Sequence, residues 1–186
     1  MYCVRFVLGM AAPGVPMIAA AQPEGMRPPT DDRDTVAWSG YFSAWEALTP
    51  ADAQLWIDRF NYELNRSCRV EVILRGAQDT VRRAGESSDR LVLADSAGNT
   101  AGTIGQRILF DETLFARAIA AIDRGIALHP DRLDMYLGRA AAFAYAERYG
   151  EMADALCTLV ARAAANGGRW MAADGWTVQP VAPQEL

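Results

Sequence analysis

From Asp111 to Asn166 the chain carries a helical signature interrupted only at Pro130 and at Tyr149-Gly150, and this stretch restricts the fold more than any other feature. Asp111-Glu112 open a first helix whose Leu114, Phe115, Ala118, Ile119, Ile122 and Ile126 recur at helical spacing. Pro130 lacks a backbone N–H and ends it. Asp131 is placed to cap a second helix with Leu133, Tyr136, Leu137, Ala140, Phe143 and Ala144 on its apolar side. Glu151 opens a third, carrying Met152, Leu156, Leu159, Val160 and Ala163, and Asn166-Gly167-Gly168 close it with the left-handed backbone that glycine adopts without strain. Links this short force antiparallel neighbours.

Upstream the pattern is mixed. Tyr41, Trp45 and Leu48 suggest a short helix, and Thr49-Pro50-Ala51-Asp52 reads as the start of another running from about 50 to 65, with Leu55, Trp56, Phe60 and Leu64 on its apolar stripe. Val70, Val72 and Leu74 then switch to a strand-like period of two, and a loop follows. Leu91 to Leu93, the turn cluster Asp95-Ser96-Ala97-Gly98-Asn99 and the run Thr103 to Leu109 predict a β-hairpin over about 91–109. Gly98, Gly102 and Gly105 fit no phosphate-binding loop, because there is no G-x-G-x-x-G, no GK[ST] and no helix opening directly after them. Trp170 and Trp176, in the tail 167–186, are expected to fold back on the helices.

The first 21 residues resemble a secretory leader: Arg5, an apolar stretch from Phe6 to Ala21, and small residues at Ala19 and Ala21 before Gln22. Residues 22–35 are rich in proline and charge and read as a linker, which leaves 36–186 as a single domain. The expected location is periplasmic or otherwise exported, with a cytoplasmic one as the alternative. Of 186 residues, 51% are hydrophobic and 22% charged, the composition of a folded chain. All 18 basic residues are arginine against 23 acids, for a net charge of −5. An acidic chain of this kind is a poor electrostatic partner for nucleic acid or anionic lipid, and nothing in the expected mature chain reads as an integral membrane span.

Within the helical stretch, Ala118, Ile122, Gly125 and Pro130 resemble the second helix and closing proline of a tetratricopeptide repeat (TPR). The next 34 residues, LDMYLGRAAAFAYAERYGEMADALCTLVARAAAN, resemble a full unit, with Tyr136 and Phe143 at the aromatic positions, Ala140 at the small crossing position and Tyr149 at the turn. Met152 and Ala164 depart from the pattern, standing where a small residue and the closing proline belong. More loosely, LWIDRFNYELNRS, LVLADSAGNTAG and DRGIALHPDRLDMYLGRA resemble exported TPR-containing proteins of unknown function from Bacteroidetes, from which the absence of lysine departs. The resemblance implies a mainly α fold of TPR-like antiparallel helical hairpins with a small β-hairpin insertion. It also implies a concave face that binds a protein or peptide partner, formed by Asp134, Leu137, Ala141, Ala144 and Tyr145. The carboxylate clamp of some TPR proteins is not supported, since its positions hold Leu137, Gly138 and Ala141.

No catalytic constellation is legible, and no cofactor is expected. His129 is alone and precedes a helix-ending proline, there is no G-x-S-x-G elbow, and Cys68 and Cys157 match no zinc spacing. Both cysteines read as separate thiols. The expected function is a non-catalytic interaction module, with a homo-oligomer as an option for its assembly; the alternative is a cell-envelope carbohydrate-binding protein or enzyme using tryptophan-lined surfaces.

Overall fold

The computed structural model of the chain describes residue 23, residues 25–79, residue 86, and residues 91–171 and 177–178. The leader-like segment 1–21 and Trp176 therefore lie outside the described residues. The linker region ends in a capping residue. Asp34 accepts the Ala37 amide at 2.9 Å and starts α1 (Thr35–Leu48), longer than the sequence suggested. Helix α2 (Ala53–Ser67) begins three residues later than Pro50, because Asp52 is the better cap. One oxygen of Asp52 accepts the Gln54 amide at 2.9 Å while the other accepts the Trp45 indole N–H at 3.1 Å. The carbonyl of Pro50 takes the Trp56 indole N–H at 3.0 Å, so the Thr49-Pro50 turn is fastened outside the helix.

Strand β1 (Cys68–Gly76) follows α2 without a break. Strands β2 (Leu91–Ala94) and β3 (Thr100–Phe110) form the predicted hairpin. Asp95 organises its turn, accepting the Ala97 and Asn99 amides at 2.9 and 2.8 Å, and Gly98 takes φ 84°, a left-handed conformation costly for other residues. Nine residues of β1 pair antiparallel with β3, from Cys68 opposite Phe110 to Gly76 opposite Gly102. Gly102 is needed there, since a Cβ would lie 2.4 Å from the Arg75 carbonyl oxygen. The result is a three-stranded antiparallel sheet in the order β1-β3-β2. The expectation of a mainly α fold of TPR-like hairpins with a small hairpin insertion is thus overturned: among the described residues five helices stand beside a real sheet, a mixed α/β architecture. The alternation at Val70, Val72 and Leu74 was the local trace of a strand whose partner lies some thirty residues on, a separation that short-range patterning does not reveal.

Helix α3 (Glu112–Leu128) is capped by Asp111, which accepts the Thr113 and Leu114 amides, both at 3.0 Å. Helices α4 (Leu133–Tyr145) and α5 (Tyr149–Asn166) follow, and Gly167 ends α5 at φ 67°. Asp131 does not cap α4, whose N-cap, Arg132, makes no side-chain cap bond. The Asp131 carboxylate instead accepts Arg162 at 2.8 Å and Asn166 at 3.1 Å, and its carbonyl accepts the Met171 amide at 2.8 Å. It joins the α3–α4 link to the end of α5 and to the tail, where β4 (Trp170–Met171) pairs with β5 (Thr177–Val178). Trp170 is buried edge-on to Tyr136, as the fold-back expectation required of it.

The core lies in the helical layer. Phe60 and Leu64 of α2, Phe115 and Ile122 of α3, and Met135 and Phe143 of α4 form its larger cluster. Tyr41, Phe42, Trp45, Leu55 and Trp56 form a second one between α1 and α2. Gly125 lets three helices meet: a Cβ there would stand 2.9 Å from the Trp56 Cβ and 3.1 Å from the Met135 sulfur.

Candidate functional site

A groove of about 720 Å³ is walled by one face each of α1, α2 and α3. Helix α1 contributes Thr35, Ser39, Phe42 and Glu46, spaced so that all four share one side. Helix α2 supplies Trp56 and Tyr62 toward the floor, and Tyr62 stacks on Trp38 with ring centroids 4.6 Å apart. Helix α3 contributes Arg117, Ala120, Ala121 and Arg124, again a single face, where two alanines leave room between the arginines.

The charge here is opposite to that of the chain. Four arginines and two glutamates line the groove. On α2, Arg59 is held at 3.0 Å by Glu46 and lies over the Trp56 ring, 5.9 Å from its centroid. Arg66 is held at 3.3 Å by Glu63 and lies 5.2 Å over Tyr62. Arg117 and Arg124 are exposed, and their guanidinium groups make no ion pair or hydrogen bond with any described residue. Two arginines are therefore pre-positioned on aromatic faces and two are free to meet an anion. Burial pushes the Tyr62 phenol above its ordinary value, against the pull of the Arg66 charge beside it.

The five residues expected to form a concave binding face are placed differently. Asp134 is engaged by Arg132 through two hydrogen bonds, of 2.9 and 2.7 Å, so its carboxylate is already satisfied within the chain. Leu137 and Tyr145 are exposed, and Ala141 and Ala144 are half-buried. Tyr145 borders a smaller hollow of about 310 Å³ between the end of β3 and the α4–α5 link. Sequence reasoning missed the arginine groove because net charge averages it away. The available signal was the pair of seven-residue spacings, Arg59 to Arg66 and Arg117 to Arg124, each two helical turns on one face.

Other candidate chemistry resolves into structure. The His129 Nε2 lies 2.7 Å from the Ala51 carbonyl oxygen, tying the end of α3 to the loop before α2. The Asp58 carboxyl is held above the ordinary range by burial, opposed by the Gln54 amide and reinforced by the Asp52 charge. It does not border the groove. No group of three or more His, Cys, Asp or Glu among the described residues is arranged to hold a metal ion. Neither Cys68, half-buried, nor Cys157, exposed, takes part in a disulfide. Trp45 and Trp56 are buried with their indole N–H groups bonded, so neither offers an open platform for stacking a sugar. No described helix is long and apolar enough to cross a membrane. No protein-family model, curated protein or solved structure matches the chain.

Proposed function

We propose that the protein is a non-catalytic interaction module that holds an acidic segment of a partner protein in the groove between α1 and α3. The observation that carries this reading is the pair of unpaired guanidiniums, Arg117 and Arg124, facing an aromatic floor in a chain of net charge −5. Arginine forms two parallel hydrogen bonds to a carboxylate, so the free pair recognises acidic side chains with defined geometry. The half-buried ring of Tyr62 adds apolar surface beside those charges. The groove is open and elongated along the helices, which suits a peptide segment better than a compact metabolite. A protein or peptide partner is also what the TPR-like segment of the sequence implies, although the surface proposed here lies on α1 to α3 and not on the α4 face.

The test is fluorescence anisotropy with a labelled peptide alternating Glu and Leu, against a matched peptide alternating Lys and Leu. Wild-type protein is expected to bind the acidic peptide and not the basic one, with affinity falling as salt rises. Arg117→Glu with Arg124→Glu is expected to weaken binding at least about tenfold while leaving the fold intact, since both side chains are exposed. Equal affinity of the double variant, or no preference between the peptides, overturns the proposal.

A further inference from the structure

The groove makes no use of the sheet, whose two faces are unlike. Side chains alternate across a strand, and directly paired residues share a side. On one side stands Arg75, 6% exposed, its guanidinium held by Glu86 at 2.9 and 2.6 Å. On the other, Leu74, Ile104 and Leu91 form a row straight across all three strands. Val72 and Gln106 form the next rung of that face, and Leu93 extends it beyond the row. Val72, Leu74, Leu91 and Leu93 are 65%, 71%, 70% and 40% exposed. The buried charge of Arg75 is thus enclosed by the chain itself, whereas Val72, Leu74 and Leu91 on the other side are bare.

Single exposed leucines are ordinary, but these are contiguous. The four side chains together leave roughly 400 Å² of apolar surface in water, a patch of the size that marks an interaction site on a monomer. We infer that this face is where two copies of the chain meet, sheet against sheet across a two-fold axis.

Three features point to a second copy as the occupant. The face is a pleated surface, and another such surface interdigitates with it in the manner of a β-sandwich. Two such faces with their flanking residues bury roughly 1,000 Å², the lower limit for a specific interface and the size of a weak dimer. Gln106 supplies the third. Its amide is the one polar side chain in the patch and makes no hydrogen bond with any described residue. A carboxamide is both donor and acceptor, so near a two-fold axis it is satisfied by the same amide of the other copy, whereas a wholly apolar partner leaves it buried and unpaired. The contact carries no charge, while each copy carries −5, so added salt relieves repulsion and strengthens the dimer. That is the reverse of the salt response expected of the groove.

The experiment is sedimentation velocity on the full chain from about 1 to 200 µM, at low and at high salt. The expected result is a concentration-dependent doubling of mass, promoted by salt. Leu74→Glu is expected to hold the protein monomeric. Gln106→Glu, which keeps the side chain's shape, is expected to weaken dimerisation at least about tenfold at neutral pH by setting two carboxylates against each other. Val92→Glu, at an equally exposed position on the opposite face, is expected to leave the dimer unchanged. A wild-type chain that stays monomeric throughout overturns the inference. So does a dimer that Gln106→Glu leaves intact, or one that Val92→Glu disrupts as strongly as Leu74→Glu.

Discussion

The helical layer and the sheet draw on the same kinds of apolar residue and treat them in opposite ways. Trp45, Leu55, Phe115 and Ile122 are 0–1% exposed, each enclosed by neighbouring helices. Val72, Leu74 and Leu91 are 65–71% exposed, although their strands are fully paired along one edge. Backbone pairing and side-chain burial are thus separable. The helices gain stability from interdigitated side chains, whereas the sheet, beyond its first rungs, is held by its ladder, with the buried Arg75 and Glu86 charges compensating each other.

The sharpest way to break this comparison is to truncate one residue on each side of it. Phe115, 1% exposed, meets Phe110 and Phe143 at centroid distances of 5.5 and 5.8 Å. Phe115→Ala is expected to cost about 3–5 kcal/mol. Leu74→Ala is expected to change the stability of the monomer by no more than about 0.5 kcal/mol. Urea denaturation at low protein concentration measures both, and similar losses at the two sites would erase the distinction.

A smaller effect is expected where the helices approach most closely. Gly125→Ala places a methyl against Trp56 and Met135 and is expected to cost about 1–3 kcal/mol, read from the shift in urea midpoint. Met135 is flexible and yields most readily, so Met135→Ala in the Gly125→Ala background is expected to recover part of that loss beyond what the two changes predict separately.

The smallest effect concerns pH. Asp58 is held above its ordinary value of 3.8 by burial, so its ionised form is disfavoured in the folded chain. Between 3.8 and that raised value the folded chain binds a proton that the unfolded chain does not. Acidification through this window therefore increases its contribution to stability. Asp58→Asn is expected to be more stable than wild type at neutral pH, and the gap is expected to close as pH falls. Asp131 has the opposite sign. Hydrogen bonds from Asn166 and Arg162 lower its pKa, so the stability it contributes is lost as pH drops below the ordinary carboxylate range. Thermal melts of Asp58→Asn and Asp131→Asn across pH separate the contributions.

What the sequence disclosed follows the range of the interactions involved. Asp111 as a cap, Gly167 as a left-handed helix end and the Asp95–Asn99 turn all act within a few residues, and all are where local chemistry puts them. Asp131 shows the limit. Its position marks a helix start, but Arg162 and Asn166, more than thirty residues away, compete for its oxygens and win. The β1–β3 pairing was hidden for the same reason, and with it the mixed character of the fold. The candidate site was least legible of all. Arg59 and Arg117 become neighbours across one groove only because α2 and α3 pack side by side, and neither stretch of sequence carries a trace of that.

The absence of lysine gives the groove a property apart from its geometry. Guanidinium groups stay protonated across the whole range in which proteins are handled, and no acetyl group can cap them as it would an amine. The arginines of this groove therefore carry no off switch of their own. A dependence of binding on phosphorylation belongs to the Thr35, Ser39 and Tyr62 hydroxyls beside them or to whatever occupies the groove, while the positive charge itself stays constant.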